Sequence, residues 1–302
     1  MKNIRVNATT APLSIAHSAT RLADYAALTK PRLNALVVAT SAAGYYLGAS
    51  AGIDLAAMLG AVAGTALVAG GAAALNQLYE RDTDALMIRT RMRPLPDGRV
   101  HPFEARVFGT ALAAAGLGLL ALRTNIFATS LAALTLAVYL AVYTPMKRRS
   151  PVSTLVGAIP GALPPLIGWA SSHGSISLGG AALFFIVFLW QIPHFMAIAW
   201  LYRDDYRRAG FPMLPVIDPT GRRAGRQALT YADGLLPVSL VPTLAGVAGM
   251  TYLAAALVLG LALLWLSATF ARSRTDRAAR VLFVASLVYL PLIWIVMILD
   301  KV

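Results

Sequence analysis

The feature that most constrains the fold of this chain is a series of nine apolar stretches, each about 18 to 25 residues long, separated by charged loops. The stretches lie at residues 32–49, 56–80, 105–122, 127–144, 152–170, 178–201, 228–247, 249–268 and 279–299. A helix of about 20 apolar residues is long enough to cross a lipid bilayer. We therefore predict an all-α polytopic membrane protein with nine transmembrane helices.

The composition agrees with a membrane protein. Of the 302 residues, 58% are hydrophobic and only 13% are charged, whereas a soluble domain carries about 25% charged residues. The chain has no cysteine, which excludes disulfides, thiolate zinc sites and cysteine nucleophiles. The net charge of +13 lies in the loops between the apolar stretches, so orientation in a membrane explains it better than nucleic-acid binding does.

The distribution of basic residues predicts the topology. All 26 lysines and arginines except Arg123 and Lys301 fall in the amino-terminal segment or in alternate loops. The positive-inside rule then places the amino terminus in the cytoplasm and the carboxyl terminus outside, in the inner (plasma) membrane of the cell. Residues 1–27 lack the apolar core of a signal peptide. We expect them to be a short, partly disordered cytoplasmic tail, followed by a single transmembrane domain over 28–302.

A first cluster of polar residues marks the cytoplasmic end of the second span. Asn76, Glu80 and Asp84 are spaced four apart, so on a helix they follow one another along one face. The loop after this span carries further candidate ligands of phosphate, Arg89, Thr90 and Arg93. Carboxylates beside arginines can hold a hard divalent cation and the phosphate oxygens that it bridges. A solvated, mixed-charge helix end is the alternative interpretation.

A second acidic cluster follows the sixth span. Leu201-Tyr202 precedes Asp204 and Asp205, much as Leu78-Tyr79 precedes Glu80. Both clusters close an even-numbered span, so they share one face of the membrane. Together they predict a Mg²⁺ and diphosphate site, with catalytic and metal-binding residues Asn76, Glu80, Asp84, Asp204 and Asp205. Whether Asp204, Asp205 or both face the metal is left open by the sequence.

Other polar residues near the spans are few. Tyr143 and Lys147 end the fourth span four residues apart, and Gln191 and His194 lie within the sixth. Polar groups at membrane depth are costly and usually face a cavity, although a buried histidine with a local hydrogen-bond partner is also common. Aromatic faces such as those of Tyr143 and Tyr202 can stabilise a cation.

These features favour an allylic diphosphate as substrate. The apolar helices can hold a hydrocarbon tail below the charged face. A metal and basic residues neutralise the diphosphate as it leaves and a carbocation forms, with no need for a protein nucleophile. A secondary transporter is a rival, but coupling ions usually bind at mid-membrane, whereas these carboxylates lie at one face.

The segment NQLYERDTD, residues 76–84, resembles the first aspartate-rich motif of the UbiA family of intramembrane prenyltransferases, Asn-x-x-x-Asp-x-x-x-Asp. Glu80 replaces the middle aspartate and preserves a carboxylate. Three further segments are similar to the branch that farnesylates haem: MIRTRMRPL from Met87, YTPMKRRS from Tyr143 and WQIPHFMAIAWLYRDDY from Trp190. The resemblance covers about residues 28 to 215; beyond them only the number and placement of spans agree.

The resemblance implies nine helices around a central cavity. It also implies Mg²⁺-dependent transfer of a farnesyl group from farnesyl diphosphate to a vinyl group of haem B, giving haem O. The substrate-binding residues would be Arg89, Thr90, Arg93, Tyr143, Lys147, Gln191, His194 and Tyr202. His194 would either position haem or only stabilise the helix packing. Candidate partners are haem A synthase and terminal-oxidase assembly proteins. A UbiA-type enzyme acting on an aromatic quinone precursor is the alternative within the family.

Overall fold

Helices follow one another through the part of the chain that the computed structural model describes, residues 13–50 and 52–302. They are α1 (Leu13–Leu28), α2 (Pro31–Gly48), α3 (Leu55–Asp84), α4 (Pro102–Arg123), α5 (Ile126–Ala137), a π-helix (Val138–Tyr143), α6 (Thr144–Met146), α7 (Ser153–His173), α8 (Leu178–Leu201), α9 (Arg203–Arg208), α10 (Leu214–Ile217), α11 (Arg222–Leu244), α12 (Met250–Ser273) and α13 (Asp276–Leu299). The predicted all-α class is confirmed.

Seven helical segments of the described chain are long and apolar enough to cross a membrane, with α5, the π-helix and α6 counted as one. The other two predicted spans, 32–49 and 228–247, correspond to α2 and α11. Both of these helices begin with polar residues, Arg32 and Asn34 in α2 and Arg222 and Arg223 in α11. The protein is therefore a multi-pass membrane protein, with a long helix at each of the nine predicted positions.

The amino-terminal segment differs in part from the predicted tail. Residues 13 to 28 form helix α1, and residues 1–12 of that predicted tail lie outside the described part of the chain. Two ion pairs attach α1 to later parts of the chain: Arg99 Nε lies 3.0 Å from Asp24 Oδ1, and Arg21 Nη2 lies 2.6 Å from Glu104 Oε1. Helix α1 is thereby joined to the charged loop after α3 and to the start of α4.

Glycines bring α3 and α4 into close contact. A Cβ at Gly116 would lie 2.7 Å from both the Gly64 carbonyl oxygen and the Val68 nitrogen, and a Cβ at Gly71 would lie 2.6 Å from the Gly109 carbonyl oxygen. The seven-residue spacing on both helices makes one seam of small residues, the usual means by which membrane helices approach closely. This antiparallel pair carries the first acidic cluster at its end.

The loop between α3 and α4 docks on the segment that follows α9. Met87 is buried with Ala209, Phe211 and Met213 in a small apolar cluster. Phe211 is only 1% exposed, so the contact excludes water from the loop's inner side. The two charged segments predicted to share one face, after α3 and after α8, are therefore packed against each other.

Candidate functional site

The last turns of α3 carry three buried polar side chains on one face. Asn76, Glu80 and Asp84 are 1%, 6% and 1% exposed. Since a buried carboxylate is costly without a partner, each acid is paired with a cation. Lys147 Nζ lies 2.8 Å from Glu80 Oε1 and 3.1 Å from Oε2, and Arg93 Nη1 lies 2.7 Å from Asp84 Oδ2. The structure thus brings together five of the predicted site residues.

A further cation, Lys30, was missed by the sequence analysis as a site residue. Its Nζ donates to Asn76 Oδ1 across 3.2 Å. Burial lowers the pKa of Lys30 to about 8, and the nearby Arg93 guanidinium acts in the same direction. The available signal was its position directly before Pro31, at the start of the first span, which puts it on the same membrane face as the end of α3.

The π-helix after α5 presents the aromatic side of the site. Lys147 Nζ lies 5.3 Å from the ring centroids of both Tyr143 and Phe211, so its ammonium group is held between two aromatic side chains. Tyr139 packs against Tyr143, with ring centroids 5.3 Å apart. Phe211, like Lys30, was not anticipated, because it reaches the site from an element far away in sequence. Tyr139, four residues before the predicted Tyr143, was not anticipated either.

The loop after α3 folds back over the carboxylates. Thr90 is 1% exposed and its hydroxyl donates to the Asp84 carbonyl oxygen across 2.8 Å. This bond closes the turn that returns Arg93 to Asp84. Arg89 is exposed and its guanidinium lies 5.2 Å from the ring centroid of Tyr202. Thr90 therefore shapes the loop, and Arg89 and Tyr202 lie together at its outer edge.

The two aspartates of the second cluster point in different directions. Helix α8 ends at Leu201, and Tyr202 leaves helical geometry at φ −110° and ψ 23° before α9 begins. Asp205 is 7% exposed, accepts from the Ile88 N–H across 3.3 Å and pairs with Arg208. The side chain of Asp204 is 65% exposed and pairs with Arg207 at 2.6 Å. Only Asp205 therefore faces the loop that covers the carboxylates of α3.

Burial and hydrogen bonding shift the pKa of Asp205 in opposite directions. Burial acts to raise the pKa of its carboxyl group, but the hydrogen bonds from Arg208 and from the backbone N–H groups of Ile88 and Arg89 outweigh it, so the pKa is lowered overall. Asp205 is thus an anion at neutral pH, held between Arg208 and the loop after α3.

Gln191 and His194 do not join this cluster, and neither forms a hydrogen bond with α3. Gln191 Nε2 donates to the carbonyl oxygens of Ala158 and Val187 at 3.2 and 3.1 Å, tying α8 to α7. His194 stacks on Trp190 with ring centroids 5.1 Å apart, and its Nδ1 lies 2.8 Å from Ser286 Oγ on α13. These two residues are part of the packing among α7, α8 and α13.

The donor set fits a divalent cation that binds together with an anion, and does not form a ready-made metal cage. Within residues 13–50 and 52–302, no three carboxylate or imidazole groups come close enough together to hold a metal ion alone. Two buried carboxylate oxygens, Glu80 Oε1 and Asp84 Oδ1, nevertheless have no hydrogen-bond partner there. Lys147 Nζ lies 2.8 Å from Glu80 Oε1 as an ion pair, whereas Asp84 Oδ1 is the one for which the structure gives no such contact. Mg²⁺ takes a few carboxylates together with phosphate oxygens and water, which is the arrangement these residues allow.

The fold and the site define an intramembrane protein with a buried cluster of acids and bases at one end of its helices. A model of the UbiA prenyltransferase family matches residues 37–290. The chain belongs to this family, which confirms the resemblance seen in its motifs.

Curated relatives and solved structures extend the comparison. The chain is 48% identical to the protoheme IX farnesyltransferase of Solibacter usitatus, covering 92% of this chain and 98% of the relative. It is 42% identical to that of Koribacter versatilis, covering 98% and 99%. A digeranylgeranylglyceryl phosphate synthase structure superimposes with a TM-score of 0.79 at 17% identity, covering 93% and 98%. A UbiA homologue from Archaeoglobus fulgidus bound to GPP and Mg²⁺ gives 0.66 at 19% identity, covering 91% and 99%.

Proposed function

We propose that the protein transfers the farnesyl group of farnesyl diphosphate to a vinyl group of haem B, giving haem O and diphosphate in a Mg²⁺-dependent reaction. The observation that carries the proposal is the 48% identity to a protoheme IX farnesyltransferase over nearly the full length of both chains. The paired acids and bases at the end of α3 support the reaction class, because a departing diphosphate needs both a metal and cations.

In the proposal, Asn76, Glu80, Asp84 and Asp205 would hold the metal. Mg²⁺, when bound, neutralises diphosphate oxygens and so favours their departure. Asp204 is left out of this set because its carboxylate points to solvent and pairs with Arg207. This choice between the two aspartates follows from the turn at Tyr202, which rotates α9 relative to α8.

The basic residues of the site would exchange partners when substrate binds. Arg93 and Lys147 neutralise Asp84 and Glu80 in the structure. A divalent cation can take over the carboxylates, which frees the guanidinium and ammonium groups for phosphate oxygens. Arg89 lies on the same loop as Arg93 and would complete the anion contacts. The site stays close to neutral throughout, which keeps the desolvation cost of burying the diphosphate low.

The chemical step needs a shielded cation. Breaking the C1–O bond of farnesyl diphosphate leaves an allylic cation, and the vinyl group of haem adds to it. Tyr143 lies beside Lys147 and offers its ring face to positive charge. The addition leaves a carbocation next to the porphyrin ring; water adds to this cation, and loss of one proton to solvent gives the alcohol. The residues around the pocket therefore have to exclude water from the first cation and admit it to the second.

His194 is the proposed contact to the acceptor. Ser286 Oγ lies 2.7 Å from the Phe283 carbonyl oxygen, which can take its one hydrogen; in that arrangement Oγ accepts from His194 Nδ1. The imidazole is thereby fixed with its hydrogen on Nδ1 and a lone pair on Nε2. A neutral imidazole in this tautomer can ligate haem iron.

The location in the plasma membrane, the cytoplasmic side of the site and the partners in haem and oxidase assembly stay predictions.

The test is turnover by the purified protein in lipid nanodiscs. With haem B, farnesyl diphosphate and Mg²⁺, mass spectrometry of extracted haem should show the mass of haem O, and EDTA should prevent its formation. A parallel reaction with a hydroxybenzoate in place of haem B serves as the control for acceptor choice. A prenylated hydroxybenzoate without haem O would sink the haem assignment while keeping the prenyltransferase class.

A further inference from the structure

The side chain of Asn76 is held from two directions by groups that distinguish its oxygen from its nitrogen. Its Oδ1 accepts from Lys30 Nζ at 3.2 Å and from the Tyr139 hydroxyl at 3.4 Å. Its Nδ2 donates to Thr144 Oγ1 at 3.1 Å. The amide oxygen therefore faces the cations of the site, and the amide nitrogen faces away from them.

Thr144 enforces this orientation because its own hydrogen is already used. The residue is 1% exposed, and its hydroxyl donates to the Tyr139 carbonyl oxygen across 2.7 Å. A threonine hydroxyl has one hydrogen. With that hydrogen committed to a carbonyl, Oγ1 can only accept, so it admits the NH₂ end of Asn76 and repels the oxygen end.

The π-helix makes the Tyr139 carbonyl reachable. Over Val138–Tyr143 the backbone hydrogen bonds join residues that are five apart instead of four. The Thr144 N–H likewise donates to the Tyr139 carbonyl oxygen. Pro145, the next residue, has no N–H and would clash with the carbonyl four residues earlier in a regular helix. The sequence Thr144-Pro145 therefore coincides with the wide turn and places the threonine hydroxyl against α3. Single π-turns inside helices are frequent at functional sites.

We propose that Thr144 is a positioning residue, which fixes the amide of Asn76 with its oxygen toward the site so that it can ligate a divalent cation. A flipped amide would present NH₂, which cannot ligate a metal. This inference rests on the proposed Mg²⁺-dependent function, since it assigns a metal to the oxygen of Asn76. It concerns the second layer of the site, because Thr144 itself touches neither metal nor substrate.

The test is binding of Mn²⁺ to the purified full-length protein in the presence of inorganic diphosphate, because the site is expected to take a cation together with an anion. Equilibrium dialysis measures the Mn²⁺ retained by the protein above that in the diphosphate buffer. Mn²⁺ accepts the same oxygen ligands as Mg²⁺. Thr144→Val keeps the shape of the side chain and removes the acceptor, and it should weaken Mn²⁺ binding by about tenfold, the scale of one lost hydrogen bond. Thr144→Ser keeps the hydroxyl and should restore wild-type affinity. Thr144→Ala also removes the acceptor and adds no atoms. It should therefore show the same loss of Mn²⁺ affinity, even if the valine side chain fits poorly.

A second background separates positioning from general stability. In Asn76→Asp both ends of the side chain are oxygens, so adding Thr144→Val should cause no further loss of Mn²⁺ affinity. If Thr144 had only a structural role, Thr144→Val would lower the melting temperature in both backgrounds and leave the Mn²⁺ affinity unchanged. Equal affinity of Thr144→Val and wild type, or no Mn²⁺ binding by wild type, overturns the proposal. The binding test uses no haem. If Mn²⁺ affinities follow the expected pattern but the protein forms no haem O, the metal site and the role of Thr144 stand, and only the proposed acceptor is wrong.

Discussion

Arg93 holds one oxygen of the Asp84 carboxylate, Oδ2, across 2.7 Å and leaves the other, Oδ1, buried without a hydrogen bond from any described residue. A buried polar atom without a partner costs about 1–3 kcal/mol. The side chain of Asp84 is only 1% exposed, whereas that of Arg93 is 25% exposed. The carboxylate thus has one oxygen occupied and one available, which is the arrangement expected where a bound cation completes the site.

Asp84→Asn should nearly abolish turnover. The substitution keeps the size of the side chain but removes the charge that holds both the metal and Arg93. Loss of such a contact at the transition state costs about 3 kcal/mol, or about 100-fold in rate. The matched control is Asp82→Asn, whose side chain is 84% exposed and pairs with Arg81. Haem O formation at saturating Mg²⁺ measures both, and equal rates in the two variants would remove Asp84 from the site.

Asp205→Asn and Asp204→Asn should differ sharply although the residues are neighbours. Asp205 is buried and accepts from the Ile88 N–H, whereas the Asp204 side chain is exposed. We expect Asp205→Asn to lower kcat by about 100-fold and Asp204→Asn to change it by less than about twofold. Titration of turnover with Mg²⁺ should show a weakened metal dependence only for Asp205→Asn. The reverse ranking would place Asp204 in the site.

The seam between α3 and α4 predicts a stability difference between two glycines on one helix. A Cβ at Gly116 would meet backbone atoms of α3 at 2.7 Å, whereas a Cβ at Gly118 would meet nothing within 4 Å. Forcing extra atoms into such a contact costs about 1–3 kcal/mol. Gly116→Ala should therefore lower the melting temperature in detergent by several degrees, and Gly118→Ala should leave it unchanged or slightly raised. Similar melting curves would mean that the helices are not closely packed there.

Hydropathy was sufficient to place the helices because a bilayer leaves few alternatives for a long apolar stretch. The helical spacing of Asn76, Glu80 and Asp84 likewise predicted one shared face, since successive i, i+4 steps fix it locally. The family was recognisable from the motif these residues form. For these features, the information lies within one helix or one loop.

The parts of the site that the sequence left undecided depend on contacts between distant segments. The pairing of Lys147 with Glu80 spans 67 residues. The hydrogen bond of Lys30 to Asn76 joins the start of α2 to α3, and the backbone of Lys30 adopts the left-handed conformation at φ 49°. The choice between Asp204 and Asp205 depends on the turn at Tyr202, which the hydrophobic periodicity of the sequence does not predict. The partly disordered tail predicted over residues 1–27 overlaps the helix Leu13–Leu28, whose ion pairs with Arg99 and Glu104 are visible only in three dimensions.

Labelling of single cysteines can test the predicted orientation, because the chain has no native cysteine. Asp97 lies in the exposed loop after α3, and Ser175 lies in the exposed loop between α7 and α8. Asp97→Cys should react with a membrane-impermeant maleimide only after the cytoplasmic side is opened, and Ser175→Cys should react in intact spheroplasts. Reaction of both from the same side would mean that the number of crossings between them is wrong.

Ser286 provides a way to separate the two roles left open for His194. Ser286→Ala removes the acceptor that fixes the hydrogen on Nδ1, so the imidazole can no longer be held with its Nε2 lone pair ready for iron. If His194 ligates haem, this variant should bind haem about tenfold more weakly, the scale of one hydrogen bond, with a shifted Soret band. Ser267→Ala is the control, since Ser267 is fully buried and its hydroxyl has no partner among the described residues.

His194→Ala completes the test through chemical rescue. The variant should lose the wild-type Soret band of bound haem and keep farnesyl diphosphate binding, since His194 forms its hydrogen bond with α13 and none with α3. Truncation leaves a space beside Trp190, on which the ring is stacked at 5.1 Å, and imidazole added to the solution can occupy it. Recovery of the wild-type spectrum and of turnover with imidazole would establish ligation. A lowered melting temperature with unchanged haem spectra would instead make His194 a packing residue between α8 and α13, and the acceptor site would have to lie elsewhere.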